Sequence, residues 1–209
     1  MIAYASRTGT KRNLAALRAA DWRLLVSARG VLRHEGFPYA LDNGAWTAHT
    51  HDEPFDVPAF TKAVDLLGND ADFVVIPDIV GGGIDSLRYS LSWLPRLRRL
   101  PGPQLLAVQD GMTPEDVRPY IGTRIGIAVG GTTEWKIETM RQWGALARES
   151  ACWLHILRVN SARRIRLCQD AGATSFDGSG PSRFAKALPR LDNARRQMPL
   201  WSSLCPDPS

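Results

Sequence analysis

Four polar residues stand directly after apolar, β-branched runs, and their side chains have the chemistry of a catalytic site. Asp42 follows PYAL, Asp78 follows ADFVVIP, Gln109 closes QLLAVQ and Asp177 follows ATSF. A carboxylate at the end of an apolar strand is costly to bury without partners. Three such carboxylates on one face would suit acid–base and nucleophilic work, with the amide beside them. Each aspartate alone could simply cap the next helix or turn, but the set of four favours a site.

The runs that precede these residues alternate with helical patterns. Strands are predicted at 2–5, 22–28, 38–41, 71–77, 104–109, 124–131, 152–159 and 173–177. Helices are predicted at 14–20, 57–68, 86–97, 113–122, 133–150, 161–172 and 181–191, with Pro95 disturbing the third of them. Residues 29–37 and 43–56 are predicted to be loops. Thr113 followed by Pro114, and Ser161, are typical helix starts.

Alternation of strands and helices predicts parallel strands joined by helical crossovers. Eight such units predict an α/β fold of the compact (β/α)8 TIM-barrel type, at about 26 residues per unit. A doubly wound open sheet is the alternative. We expect one catalytic domain over residues 1–191 and a loose, polar tail over 192–209. In a parallel barrel the four polar residues lie at the carboxyl ends of strands, where barrel enzymes keep their active sites.

Composition excludes two broad classes. The chain has 209 residues, of which 44% are hydrophobic and 22% charged, so the bulk of it is not disordered. It contains no run of about 18 apolar residues that could span a membrane. The first residues lack the features of a signal peptide, and we expect a reducing, cytoplasmic location.

The net charge of +5 is concentrated near the end of the sequence. Residues 158–196 hold nine basic and three acidic residues, a net charge of +6. Arginine clusters suit a polyanion, because each neutralised phosphate releases counterions. A solvated helix face is an equally good explanation from charge alone.

No metal site or cofactor motif is evident. Three cysteines, at 152, 168 and 205, form neither a disulfide framework nor a CxxC pair. His49 and His51 lie in a polar stretch, and His155 alternates with apolar residues, which favours a core or rim position over a catalytic one. Gly81–Gly83 could let a ligand approach the backbone or could form a flexible loop. We therefore expect no metal and no cofactor.

The motifs LDNGAW (41–46), IPD (76–78), AVQDG (107–111), GIAVGG (126–131) and TSFDGSGPSR (174–183) together resemble the tRNA-guanine transglycosylase superfamily. The resemblance covers about residues 38–185, and the ordered set is more specific than any single motif. That superfamily has a (β/α)8 barrel and exchanges guanine for a 7-deazaguanine. The compact chain lacks the family's zinc site of three cysteines and one histidine. It therefore looks more like the DNA-modifying branch of phages and bacterial genomic islands, which GTTEWK (131–136) also fits.

The resemblance implies a role for individual residues. Asp177 matches the nucleophile, and Asp42 matches the general acid/base. Asp78 and Gln109 match side chains that recognise guanine, and Gly126 and Ile127 match a backbone pair that recognises the base. The basic segment and the barrel mouth add a predicted nucleic-acid surface, comprising Trp135, Lys136, Arg158, Arg163, Arg164 and Arg183. Trp46 and Trp135 could stack on bases or simply pack.

The implied reaction is exchange of guanine in DNA for a preQ0-type base through an aspartyl–deoxyribosyl intermediate. The expected partners are guanine-containing DNA, a free 7-deazaguanine base and accessory proteins of a DNA-modification pathway, with no membrane partner. The expected location is the cytoplasm of a bacterium or a phage-infected host. Three alternatives stay open: a small RNA-guanine transglycosylase, a guanine N-glycosidase and a non-catalytic nucleic-acid-binding barrel.

Overall fold

The computed structural model describes residues 1–183 and 185–197. Eight parallel strands close into a barrel, which confirms the predicted (β/α)8 fold and excludes the open sheet. The strands are β1 (Ile2–Ser6), β2 (Arg23–Ser27), β3 (Tyr39–Asp42), β4 (Val74–Val75), β5 (Gln104–Val108), β6 (Ile125–Val129), β7 (Leu154–Ile156) and β8 (Ser175–Gly178). The helices are α1 (Lys11–Ala19), α2 (Ala45–Thr50), α3 (Val57–Leu67), α4 (Gly83–Leu97), α5 (Pro114–Val117), α6 (Thr133–Glu149), α7 (Ala162–Asp170), α8 (Gly180–Arg183) and α9 (Leu188–Arg196). Short 3₁₀ turns lie at Arg118–Tyr120 and Ala185–Ala187.

The barrel closes where the last strand meets the first. β8 pairs with β1 in parallel, with Ile2 opposite Ser175 and Tyr4 opposite Asp177. β4 has only two residues, but it still bridges its neighbours, because Val74 pairs with both Leu41 and Gln104. Closure directs the carboxyl ends of all eight strands to one face.

Side chains fill the barrel interior below that face. Tyr4, Phe73 and Leu105 are fully buried in a cluster inside the barrel, and the rings of Tyr4 and Phe73 meet edge to face with centroids 5.3 Å apart. A larger apolar layer lies between the strands and the helices. The barrel is therefore a packed core rather than a channel, and its carboxyl-end face is left for a site. Among the residues described, no helix combines the length and apolar character that crossing a membrane requires.

The predicted cap at Ser161 is confirmed, because its hydroxyl accepts from the N–H of Arg164 at the start of α7. The structure adds a cap that was not predicted, in which Asp56 accepts from the N–H of Ala59 at the start of α3. Thr113 precedes α5, and its N–H donates to the Asp116 carboxylate at 2.8 Å. Each cap satisfies N–H groups that have no partner within the helix.

The loop predicted at 43–56 is wrong in part, because it contains helix α2. Gly44 allows this helix: its φ is +82°, and a Cβ atom there would lie 2.9 Å from Cγ of Arg29. The expectation that Pro95 would disturb α4 was also wrong. Pro95 lies in the last turn of α4, which continues to Leu97.

Other predicted boundaries differ from the structure. The helix predicted at 113–122 is split into α5 and a 3₁₀ turn, and the one predicted at 181–191 into α8, a 3₁₀ turn and α9. The predicted start of the loose tail, at residue 192, is too early, because α9 continues to Arg196 and Ala194 is buried. Residues 198–209 of that tail, with Cys205, lie outside the described residues.

Candidate active site

A single pocket at the carboxyl ends of the strands contains the four polar residues singled out in the sequence. Its volume is about 460 Å³, and Asp42, Asp78, Gln109 and Asp177 all line it. They come from the ends of β3, β4, β5 and β8. The expectation that these residues share one face of the barrel is confirmed by their placement.

The two oxygens of the Asp177 carboxylate have different surroundings. Oδ1 accepts a hydrogen bond from the backbone N–H of Arg158 at 2.9 Å and lies 3.3 Å from Nε2 of His155. Oδ2 has no hydrogen-bond partner among the described residues, and Asp177, although only 5% exposed, lines the pocket. One oxygen is thus held in place while the other is available to a ligand.

His155 is the functional residue that the sequence reasoning missed. It is fully buried, and its Nδ1 lies 2.7 Å from Oγ of Ser175, which also accepts a hydrogen bond from Nε1 of Trp153 at 2.7 Å. Because the Asp177 carboxylate only accepts, Nε2 of His155 carries the proton and Nδ1 accepts from the Ser175 hydroxyl. A chain of hydrogen bonds therefore runs from Trp153 through Ser175 and His155 to Asp177.

The register of the barrel offered a signal for His155. It lies on β7 opposite Ser175, two residues before Asp177 on β8. Side chains two residues apart on a strand point to the same side. His155, Ser175 and Asp177 are therefore neighbours inside the barrel. This order differs from a serine hydrolase triad, since here the carboxylate faces the pocket and the serine is buried.

Two other carboxyls of the pocket are held partly neutral. Burial, with the nearby charge of Asp177, raises the pKa of Asp42 to about 6. Burial also raises the pKa of Asp78 to about 6, against the opposing effects of the Asn43 side chain and the Arg158 charge. Groups with such values exchange protons readily near neutral pH.

Asn43 fixes the position of Asp78. Its Nδ2 donates to Oδ1 of Asp78 at 2.8 Å and to the carbonyl of Ile76 at 2.7 Å, while its Oδ1 accepts from the N–H of Ala45 at 2.8 Å. Asn43 is 3% exposed. The sequence motif LDNG therefore supplies both a pocket carboxyl and the amide that orients a second one.

Gln109 lines the pocket, and its side-chain amide already has partners within the protein. Gln109 is 3% exposed, and its Nε2 donates to the carbonyl of Ile79 and to Oγ of Ser86, both at 2.8 Å. Its Oε1 accepts from the N–H of Gly81. Nε2 also lies 3.3 Å from Oδ2 of Asp78, so Gln109 connects the loop after β4 and the start of α4 to a pocket carboxyl. None of Gly81–Gly83 lines the pocket.

The predicted recognition of a base by Gly126 and Ile127 is wrong. Both lie in the first half of β6, away from its carboxyl end, and the N–H of Ile127 donates to the carbonyl of Trp153 at 2.8 Å. A Cβ atom on Gly126 would lie 2.5 Å from that same carbonyl, so the strand is tightly packed there. The backbone that lines the pocket after β6 belongs to Gly130 and Gly131.

Arg158 spans the mouth of the pocket. Its guanidinium lies over the ring of Trp46, 3.9 Å from the centroid, and Nη2 donates to the carbonyl of Gly131 at 2.6 Å. Its backbone has a φ of +60°, which directs the N–H to Asp177 and the side chain across the mouth. Such a conformation is uncommon for a residue other than glycine and often marks a functional position.

The predicted nucleic-acid residues fall into two groups. Arg158 and Arg183 line the pocket, and Arg163 and Arg164 lie at the start of α7, with Arg163 exposed. Lys136 is the first correction: it is 4% exposed, its Nζ donates to the carbonyl of Leu157 at 2.6 Å, and burial lowers its pKa to about 8. A side chain so placed supports the turn after β7 and does not reach a backbone phosphate.

Trp135 is the second correction. Its ring packs against Trp143, with centroids 6.0 Å apart, and it does not line the pocket. Trp46 does line the pocket and is 45% exposed. Of the two tryptophans considered for stacking, only Trp46 is placed to meet a ligand.

Comparison with known proteins adds no family to this picture. No protein-family model matches the chain, and no curated protein matches it significantly. The described part of the chain contains no group of three or more histidine, cysteine or acidic residues arranged to hold a metal ion. The fold and the site together define a closed (β/α)8 barrel whose carboxyl-end pocket is lined by three carboxyls and three arginines.

Proposed function

We propose that this protein is a DNA-guanine transglycosylase that exchanges guanine for a preQ0-type 7-deazaguanine through a covalent intermediate on Asp177. The observation that carries the proposal is the Asp177 carboxylate, held through one oxygen and open to the pocket through the other. The resemblance of the ordered motifs around Asp42, Asp78 and Asp177 supports the same reaction and the choice of DNA.

The first half-reaction breaks the glycosidic bond. Oδ2 of Asp177 attacks C1′ of the deoxyribose from the face opposite the base, and a carbon–oxygen bond forms as the C1′–N9 bond breaks. The bonding electrons leave with N9, and protonated Asp42 supplies the proton that neutralises the departing guanine. A pKa of about 6 leaves part of the Asp42 population protonated near neutral pH.

The second half-reaction reverses the first with a different base. The Asp42 carboxylate, ionised by the first step, takes the proton from N9 of the incoming 7-deazaguanine. That nitrogen then attacks C1′ and displaces the Asp177 carboxylate. Atoms and protons balance over the cycle, and no cofactor is required. Asp42 alternates between acid and base, as in retaining glycosidases.

Recognition of guanine needs hydrogen-bond acceptors for N1–H and the 2-amino group. Asp78 offers a carboxylate oriented by Asn43 at the pocket wall. Trp46 offers a partly exposed aromatic ring, and the Arg158 guanidinium lies over one face of it. A planar base would stack there in place of the guanidinium. Because the pocket is concave, a guanine in duplex DNA must first be flipped out of the stack.

The proposal is tested by trapping the intermediate. The wild-type protein mixed with a guanine-containing DNA strand should give a band of higher mass on a denaturing gel, and should incorporate labelled guanine. Asp177→Asn should lose both while keeping DNA binding. Asp170→Asn, at an exposed carboxylate at the end of α7, is the matched control and should keep both.

Three outcomes would point elsewhere. Release of guanine without incorporation would favour an N-glycosidase. Exchange on an RNA strand but not on DNA would favour an RNA enzyme. Normal exchange by Asp177→Asn would refute the nucleophile, and binding without any reaction of the wild type would favour a non-catalytic barrel.

A further inference from the structure

The basic residues of segment 158–196 differ in their partners. Arg195 and Arg196 share the Asp192 carboxylate, each at 2.7 Å, so one negative charge faces two positive ones. A second set forms no salt bridge with any described residue and is exposed to solvent: Arg163, Arg166, Arg183, Lys186 and Arg190. Elsewhere on the barrel, Arg88, Arg99 and Arg118 each pair with a carboxylate, whereas exposed Arg98 and Arg141 form no salt bridge with described residues.

Two members of this unpaired set, Arg166 and Arg190, line a groove between helices α7 and α9, here called the α7–α9 groove. The two helices pack side by side, and Nε2 of Gln169 on α7 donates to the carbonyls of Arg195 and Gln197, both at 2.9 Å. The groove has a volume of about 490 Å³ and is lined by Ala162, Arg166, Arg190, Asn193, Ala194 and Gln197. No carboxylate is among these lining residues.

The chemistry of the groove suits phosphate groups. Buried Ala162 and Ala194 form a low floor that lets a ligand approach the helices closely. Arg166 and Arg190 provide charged donors, and the side chains of Asn193 and Gln197 provide neutral ones. A guanidinium presents a fork of N–H groups that matches phosphate oxygens.

The groove lies on a path from the mouth of the pocket. α7 follows β7, so its first turn, with Arg163, is at the mouth, and Arg166 lies about 4.5 Å further along the helix axis. Arg183 lines the pocket itself and precedes α9, whose first turn contains Arg190. Basic side chains therefore continue from the pocket wall down the outer side of the barrel. A linear polyanion that enters the pocket would follow such a path.

We propose that the α7–α9 groove binds the sugar–phosphate backbone of a DNA strand flanking the nucleotide in the pocket. The identity of the polymer rests on the proposed function, whereas the anion-binding chemistry of the groove does not. The groove would add affinity for long strands without touching the reacting atoms, which lie in the separate pocket around Asp177.

The test compares two double variants of the full chain. Arg166→Ala/Arg190→Ala removes the charged walls of the groove. Arg98→Ala/Arg141→Ala is the matched control, because both side chains are exposed, lie on other helices or their ends, and form no salt bridge with described residues. Binding to a long labelled DNA strand is measured by fluorescence anisotropy over a salt series, and binding to a guanine-centred trinucleotide is measured alongside.

Each phosphate contact that is lost should lower the slope of log K against log salt by about 1. Between about 50 and 200 mM salt, the wild type should therefore lose about tenfold more affinity for the long strand than the groove variant loses. The control should behave as the wild type does, and the trinucleotide, which carries only the phosphates next to the guanine, should bind all three proteins equally.

Equal salt slopes for the wild type and the groove variant would overturn the proposal. Equal competition by polyglutamate and by unlabelled DNA would also overturn it, because the groove would then bind acidic chains in general. If inorganic phosphate competed as well as DNA at the same phosphate concentration, the groove would be a site for a free ion. Loss of guanine exchange in the wild type would refute the proposed function but leave the salt comparison readable. The two failures are therefore distinguishable.

Discussion

Replacing His155 tests whether the hydrogen bond to Asp177 matters for the reaction. His155→Phe keeps an aromatic ring among Tyr4 and Phe73, whose centroids lie 5.8 and 4.9 Å from the imidazole, but it removes the donor to Oδ1. His155→Gln restores a donor at the position of Nε2. His155→Asn places its amide nearer to Ser175 and cannot reach Asp177, so it is the matched control for the glutamine variant.

The size of the effect follows from the bond that is lost. A hydrogen bond to a charged group contributes about 1.5–3 kcal/mol. If that bond orients the nucleophile in the transition state, its loss slows the chemical step by about 10–150-fold. The Arg158 N–H still holds Oδ1 at 2.9 Å, so we expect a slower reaction and not its abolition.

The assay is single-turnover formation of the covalent adduct, followed by rapid quench on a denaturing gel. We expect the phenylalanine and asparagine variants to be slow and the glutamine variant to recover most of the rate. The KM for the free base should stay unchanged, because His155 does not line the pocket. Thermal unfolding of each variant separates a folding defect from a positioning defect. A folded phenylalanine variant with the wild-type rate would show that the contact does not position Asp177.

Two further substitutions test the electrostatics and the packing. Asp42→Asn should slow exchange by about 10²–10⁴. The folded-state pKa of Asp42 is raised to about 6 from 3.8, so ionisation of Asp42 costs stability as pH rises through that value, and the cost is absent below pH 3.8. In urea, the free energy of unfolding of Asp42→Asn should therefore exceed that of the wild type by up to about 3 kcal/mol at pH 8, and the two should be equal near pH 3.5. A difference that does not depend on pH would contradict this cause. Gly144→Ala should lower the free energy of unfolding by about 1–3 kcal/mol, because the new Cβ would lie 1.9 Å from the carbonyl oxygen of Ala171. Gly122→Ala is the control and should leave stability unchanged, because a Cβ there meets nothing within 4 Å. Equal melting temperatures for the two variants would refute the argument.

The pocket was predictable because the barrel follows a simple rule. Apolar runs that end in Asp42, Asp78 and Asp177 mark the carboxyl ends of strands, and parallel closure brings those ends to one face. That inference needs the alternation of strands and helices but no knowledge of register. It therefore survived even where β4 turned out to have only two residues.

The errors arose where the result depends on register or on a helix face. The run 125–131 has no polar side chain, so nothing in it shows that β6 ends at Val129 and that Gly130, not Gly126, reaches the pocket. Lys136 lies on the inner face of α6, where its Nζ meets a carbonyl of the turn after β7. The alternation in LHILRV favoured a core or rim position for His155, but only strand pairing brings it to Asp177.

The pairing of β8 with β1 has a consequence for the order in which the molecule becomes competent. Asp42 lies on β3, and Asp78 and Gln109 follow β4 and β5, so all three are synthesised before His155 and Asp177 on the last two strands. Asp177 takes its place opposite Tyr4 only when the final strand joins the first. A nascent chain thus has no complete site until the ring is shut. Adduct formation would therefore report completed folding of the whole barrel, from the first strand to the last.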